Sequence, residues 1–295
     1  MQKTFGRVLT AMITPFTPEG AVDYEGAVTL ANYLFDHGSD GLVICGTTGE
    51  SPTIPVEEKI QLFKTLVAHC KGKGTLIANT GSNDTASTIA LSKAAAETGV
   101  DGIMLVVPYY NKPNQNGLLL HFGSVAKEVS LPIMVYNVPG RTGGRILPAT
   151  LERLHKTFSH ICAVKDAAGD LSVTIEIFNR LGNKDFMIYS GDDGLTLPIL
   201  SVGGCGVISV ASHIDGDKIQ AMIKAFVAGD NAKARNLNKE LTPLFQNMFI
   251  TTNPIPVKYA VRQLGLPAGP FRAPMCEPTE AEAALIDAIL TKYKK

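Results

Sequence analysis

Pro132-Ile133-Met134-Val135-Tyr136 and, roughly 25 residues further on, Ile161-Cys162-Ala163-Val164-Lys165 are short runs that stay apolar until the last residue. A strand with one wet face alternates between apolar and polar residues. One that is apolar at consecutive positions is covered on both faces, as in a parallel sheet. Working outward, four runs of the same kind precede them: Val8-Leu9-Thr10-Ala11-Met12-Ile13, Gly41-Leu42-Val43-Ile44-Cys45, Thr75-Leu76-Ile77-Ala78 and Gly102-Ile103-Met104-Leu105-Val106. Two follow, Phe186-Met187-Ile188-Tyr189 and Gly206-Val207-Ile208-Ser209-Val210. Parallel neighbours need crossover connections, usually helical. Residues 56–70 place Val56, Ile60, Phe63, Leu66 and Val67 on one helical face, and residues 85–97 place Ile89, Ala90, Lys93, Ala94 and Glu97 at helical spacing. Gly99, Gly182 and Gly203-Gly204 follow helical stretches and precede strands, where left-handed C-terminal caps are expected. Eight strands repeating about every 25 residues predict an α/β fold, a (β/α)8 TIM barrel over residues 1–228. An open doubly wound sheet is the competing architecture, but it usually has fewer strands and often a G-x-G-x-x-G first turn, which this chain lacks.

Beyond residue 228 the strand signal stops and three helices are predicted, Asn231–Asn247, Pro256–Leu264 and Glu280–Lys294, so residues 229–295 read as a C-terminal helical domain. The break Leu266-Pro267-Ala268-Gly269-Pro270-Phe271-Arg272-Ala273-Pro274 separates the last two. This tail carries nine Lys+Arg against six Asp+Glu, an imbalance too mild to imply a partner. The whole chain of 295 residues has 27 of each sign, which argues against nucleic acid or an anionic membrane surface as its partner. No apolar run approaches the roughly 20 residues of a membrane span, and the start Met1-Gln2-Lys3-Thr4-Phe5-Gly6 has no secretory apolar stretch. A soluble cytoplasmic protein is the expectation. The five cysteines are scattered without a C-x-x-C pair, and those at 45, 162 and 205 lie in or beside apolar runs as small hydrophobes. The six histidines form no H-E-x-x-H, so no sequence-local metal site is expected.

In such a barrel the reactive side chains stand where strands end. After the second run comes Gly46-Thr47-Thr48-Gly49-Glu50-Ser51. It reads either as a plain turn with hydroxyl-to-backbone bonds or as an anion pocket of backbone N–H groups. Tyr109 and Tyr110 follow the fourth run, and the fifth leads into Tyr136-Asn137-Val138-Pro139-Gly140-Arg141-Thr142-Gly143. The sixth ends at Lys165. Strand alternation sets Lys165 and Asp166 on opposite faces, so Asp166 does not neutralise the amine. A lysine held at the barrel mouth, partly desolvated and without an obvious counter-ion, has a lowered pKa and acts as a nucleophile, the requirement for a Schiff base. Gly191-Asp192-Asp193-Gly194 is a metal or phosphate loop on one reading, but paired Asp beside Gly is more often a helix cap. Amine, phenol, hydroxyl and guanidinium together read as class I aldolase chemistry on a 2-oxo acid: the ketone condenses with Lys165, the threonine loop holds a carboxylate, and Arg141 clamps a second one. That chemistry needs no metal and no cofactor.

These stretches, together with Pro108-Tyr109-Tyr110-Asn111, Val164-Lys165-Asp166 and Thr252-Asn253-Pro254-Ile255-Pro256-Val257-Lys258, resemble the dihydrodipicolinate synthase branch of the pyruvate-dependent class I aldolases, over nearly the whole chain. The resemblance implies condensation of pyruvate with L-aspartate 4-semialdehyde, the entry step to diaminopimelate and lysine. It implies an imine on Lys165, with Tyr136 as general acid and base. Thr48 and Tyr110 would complete a hydroxyl relay with Tyr136, Tyr110 reaching into a neighbouring subunit of a homotetramer. It further implies that Thr47 and Thr48 amides hold the pyruvate carboxylate, that Arg141 binds the semialdehyde carboxylate, and that main-chain groups at Gly191 and Ile208 line the pocket. Relatives that cleave sialic acid or 2-oxo sugar acids share the Lys and Tyr but typically lack the Gly-Arg-Thr at Arg141. A non-catalytic pyruvate-binding barrel and a phosphate-binding isomerase are further alternatives. Against the first, every implied catalytic position is filled. Against the second, Gly203-Gly204-Cys205-Gly206 precedes its strand and so falls at the wrong barrel end. Feedback-inhibited members of the family bind lysine through histidines and a glutamate. The corresponding positions here are Val56, Lys59 and Ser87, whereas Ser51, Asn83 and Tyr109 match. A cation at Lys59 and no carboxylate at Ser87 predict weak or absent lysine inhibition.

Overall fold

The computed structural model describes residues 5–182 and 185–293. Met1–Thr4 of the start discussed above, and Lys294 at the end of the last expected helix, lie outside them. Every expected run forms a strand: β1 (Val8–Ala11), β2 (Gly41–Ile44), β3 (Thr75–Asn79), β4 (Gly102–Val106), β5 (Ile133–Asn137), β6 (Ile161–Asp166), β7 (Met187–Ser190) and β8 (Gly206–Ser209). They are ordered β1 to β8 in a closed barrel of parallel neighbours. All but Thr75 and Val106 of these strand residues are buried, which is why the runs read as continuously apolar. Register fixes which side chains meet. Tyr136 on β5 pairs with Lys165 on β6, which pairs with Tyr189 on β7, while Asn137, Asp166 and Ser190 form the next row.

The crossovers are helical, but two of them bury a different stripe from the one expected. Helix Val56–Cys70 buries Leu62, Phe63, Leu66 and Cys70 and leaves Val56 47% exposed, so its inner face is rotated toward the i, i+3/i+4 series from Leu62. Helix Thr85–Thr98 buries Thr88, Leu91, Ser92 and Ala95 rather than the Lys93 and Glu97 face. Hydroxyls are tolerated there because they find partners: Thr88 Oγ1 donates to Asp84 O at 2.7 Å, and Ser92 Oγ pairs with Thr80 Oγ1 at 2.8 Å. Gly99 and Gly203 are left-handed as expected, with φ of 88° and 103°, but Gly182 has φ −69° and is not a left-handed cap.

By packing the chain forms two compact units, one around residues 77–208 and one of residues 6–76 with 209 onward. In the second, helix Ser212–Val227 packs on the tail helix Asn231–Asn247. The remaining tail helices, Ile255–Gln263 and Glu280–Leu290, are pinned by Tyr259 OH donating to Asp287 at 3.0 Å and Asn247 Nδ2 donating to Leu285 O at 3.0 Å. His213 is wholly buried in this unit. Its Nε2 accepts from Ile13 N at 3.1 Å, which leaves Nδ1–H to donate to Val210 O at 2.8 Å, the pattern of a neutral ring. No helix among the described residues is long and apolar enough to cross a membrane.

Candidate active site

Lys165 sits one residue before the end of β6 and is 6% exposed. As alternation requires, Asp166 is turned away from it. The Asp166 carboxylate accepts from Thr174 Oγ1 at 2.7 Å, Ala168 N at 3.2 Å and Asn137 Nδ2 at 3.3 Å. Burial above all, with the Arg141 guanidinium adding to it and Asp193 pulling the other way, brings the Lys165 amine down to about 8. The Tyr136 ring lies with its centroid 4.3 Å from Nζ. That contact favours the ammonium form, yet desolvation outweighs it. The outcome is an amine that reaches its nucleophilic form close to neutral pH.

Asp193 is the residue that sequence reasoning missed. The amine does have a carboxylate near it, and it comes from the loop after β7, where Asp193 is 1% exposed at the head of the short helix Asp193–Leu195. The paired aspartates divide their work. Asp192 is the cap, accepting from Gly194 N at 2.8 Å as the capping reading expects. Only one of two adjacent carboxylates can cap one turn, and that was the available signal for the other. Gly191 supports the same corner: its N–H donates to Asp166 O at 2.7 Å, and a Cβ there would lie 2.6 Å from Ala167 Cβ and 3.2 Å from Lys165 Cε.

Arg141 is exposed on the one-turn helix Pro139–Thr142. Pro139 presets its first φ, Gly143 ends it at φ 70°, and Thr142 Oγ1 ties it down by donating to Gly144 O at 2.7 Å. Ile208 is buried in β8. Tyr109 and Tyr110 are 39% and 89% exposed, Tyr110 with φ 68°, and Asn111 Nδ2 anchors their loop by donating to Asn83 O at 2.8 Å. In this unit, then, Tyr136, Arg141, Gly191 and Asp193 are brought together around Lys165.

In the second unit the turn Gly46–Ser51 is stapled by Glu50 N to Thr47 O at 3.1 Å and Ser51 N to Gly46 O at 3.2 Å. The backbone N–H groups of Thr47 and Thr48 donate to no acceptor among the described residues, which suits an anion-binding turn. Two non-glycine residues here are left-handed, Cys45 just before the turn and Glu50 within it, both at φ 55°. Thr48 is buried, and its Oγ1 accepts from Asn253 Nδ2 at 3.0 Å. Glu50 is locked into an ion pair with Lys258 at 2.6 Å, both side chains at most 1% exposed.

Of the positions assigned to regulation, Ser51 opens the short helix Ser51–Thr53 and Val56 is exposed at the start of the next helix. Lys59 is half-buried, and burial pushes its amine down against an opposing pull from Cys45, whose own thiol burial pushes up to about 12. Ser87 is exposed, its N–H taken by the Asp84 carboxylate at 2.7 Å. Among the described residues no three His, Cys, Asp or Glu side chains gather as a metal site.

Fold and site together define a (β/α)8-barrel enzyme built round a buried strand-end lysine. The dihydrodipicolinate synthetase family profile matches residues 4–293, and the chain belongs to that family. It is 54% identical over 286 residues to the 4-hydroxy-tetrahydrodipicolinate synthase of Desulforamulus reducens, covering 97% of this chain and 96% of that one. Among solved structures it is similar to the dihydrodipicolinate synthase of Bacillus anthracis, with a TM-score of 0.95, 43% identity and 99% of each chain covered. It is likewise similar to the enzyme of Cyanidioschyzon merolae with lysine bound, with a TM-score of 0.95, 43% identity and 97% of each chain covered.

Proposed function

We propose that this chain is a lyase of the 4-hydroxy-tetrahydrodipicolinate synthase type, joining pyruvate to L-aspartate 4-semialdehyde through a Schiff base on Lys165. The observation that carries the reading is the buried Lys165 amine, lowered to about 8, set against the Tyr136 ring with Arg141 near. The Lys165 amine attacks the ketone carbon of pyruvate, and water leaves from the carbinolamine to give the imine. Loss of a methyl proton gives the enamine, whose carbon attacks the aldehyde. The amino group of the bound product then attacks the imine carbon, Lys165 departs as the amine, and the ring closes.

Tyr136 moves the protons of the carbinolamine, with Thr48 and Tyr110 as its relay, Tyr110 serving a neighbouring subunit. Its 89% exposure is what a side chain completed by another subunit would show in one protomer. Thr47 and Thr48 amides take the pyruvate carboxylate, Arg141 takes the carboxylate of the semialdehyde, and main chain at Gly191 and Ile208 lines the pocket. The reading further includes a catalytic barrel of residues 1–228 with a helical domain of 229–295, a cytoplasmic homotetramer, and chemistry carried by the Lys165 amine without a cofactor.

The test is a substrate comparison. With pyruvate present, L-aspartate 4-semialdehyde is expected to turn over at least about a hundredfold faster than N-acetylmannosamine or a sugar-derived aldehyde, the scale on which pocket contacts discriminate between substrates. Equal turnover would favour the sugar-acid branch. Sedimentation at assay concentration reads the tetramer, and a monomer with full activity contradicts the shared tyrosine.

A further inference from the structure

We propose that Asn253 is a positioning residue for the Thr48 hydroxyl, setting the direction in which that hydroxyl gives up its hydrogen. The inference rests on the relay role given to Thr48 above. A threonine hydroxyl is one donor with two acceptor lone pairs, and by itself it rotates to suit its neighbours. Here Asn253 Nδ2 donates to Thr48 Oγ1 at 3.0 Å in a buried setting. An amide N–H cannot accept, so the Thr48 hydrogen points away from Asn253. The contact therefore turns an adaptable hydroxyl into an oriented donor.

The surrounding tethers make that orientation durable, because each approaches the turn from outside it. Thr14 Oγ1 donates to Gly49 O at 2.8 Å. Glu50, held left-handed at a cost non-glycine residues avoid, is gripped at one carboxylate oxygen by Lys258 at 2.6 Å and at the other by Arg272 N at 3.0 Å. Lys258 donates in addition to Thr14 O at 3.0 Å and lies 3.9 Å from the Phe16 ring centroid. Lys258 lies within the helix Ile255–Gln263 and Asn253 two residues before its first residue, so one short stretch of the tail holds both the backbone of the turn and the hydroxyl on it.

The test uses the full-length protein and the variants Thr48→Val, Asn253→Ala and Asn253→Asp. Steady-state rates with both substrates are measured between about pH 6 and about pH 8.5, alongside borohydride trapping with pyruvate alone. Thr48→Val is expected to lower kcat by about a hundredfold, the scale of lost proton-transfer help, and Asn253→Ala by about tenfold, with the trapped adduct retained in both. Asn253→Asp gives the directional readout. Protonated, it still donates to Thr48; ionised, it accepts the Thr48 hydrogen and withdraws it, and burial brings its titration toward this pH range. Its kcat relative to the parent should fall about tenfold as pH rises across the window. A flat ratio overturns the inference whatever the size of the loss, since a merely structural contact gives one. So does parental kcat in both Asn253 variants while Thr48→Val is impaired. Parental kcat in Thr48→Val instead defeats the relay role itself. Should Asn253→Ala fail to fold, the near-isosteric Asn253→Asp carries the test.

Discussion

Tyr136 and Lys165 are register partners on adjacent parallel strands, and the lysine Nζ lies 4.3 Å from the tyrosine ring centroid. Parallel pairing sends both side chains to the same face at the same height. The pair is thus set by the sheet rather than by a loop, and such sites hold their geometry best.

The first prediction concerns pH. Desolvation holds the Lys165 amine down to about 8, so its neutral, nucleophilic fraction grows as pH rises through that value and then levels off. The rate of imine formation with pyruvate should follow that curve. Asp193 raises this pKa and Arg141 lowers it. Asp193→Asn should therefore move the midpoint to lower pH and Arg141→Ala to higher pH, as read from the pH dependence of borohydride trapping. Shifts in the same direction would contradict the electrostatics.

Gly191→Ala should damage activity more than stability. The added Cβ meets Ala167 Cβ at 2.6 Å and Lys165 Cε at 3.2 Å, so the amine must move. Overpacking of this kind costs about 1–3 kcal/mol, while a small misplacement of a reacting group costs about a hundredfold in rate. Parallel melting curves and kcat/KM values check the split.

The Glu50–Lys258 pair should prove costly to break and cheap to replace. Lys258→Met strands a buried carboxylate and should lose about 3–5 kcal/mol, whereas the double variant Glu50→Gln with Lys258→Met should recover much of that loss. Denaturant titration of the two variants measures the difference.

His213 should make the protein acid-sensitive. Burial lowers its folded pKa to about 4 from an ordinary 6.5. Between those values the unfolded chain binds a proton that the folded one does not, so stability falls as pH drops through that window, by up to about 3 kcal/mol for this group. His213→Gln should be less stable near neutrality and lose less on acidification, as followed by melting temperature against pH.

Much of this was legible in the sequence because it is local. Both-face burial leaves apolar runs that mark the strands, and the residue after each run marks the mouth, which is how Lys165, Tyr136 and the threonine turn stood out. Alternation correctly turned Asp166 away from the amine. What was not legible depends on partners far along the chain. Asn253 meets Thr48 across 205 positions and Lys258 meets Glu50 across 208, and no periodicity announces either. The buried stripe of helix Thr85–Thr98 is hidden in the pattern for a related reason: its hydroxyls count as polar there but are buried once Asp84 O and Thr80 accept or share their bonds. Asp193 was hidden by its neighbour, since Asp192 alone explains the cap.

Regulation yields a sharper expectation. With a lysine at position 59 and no carboxylate at Ser87, L-lysine should inhibit the condensation weakly or not at all in a coupled assay. Half-maximal inhibition in the micromolar range would contradict it.

The most direct test of the central claim is borohydride reduction in the presence of pyruvate, followed by intact mass and peptide mapping. A single reduced pyruvyl adduct on Lys165, lost in Lys165→Ala and unchanged in Lys59→Ala, is predicted. No adduct, or one on another lysine, would contradict the assignment of Lys165 as the Schiff-base residue.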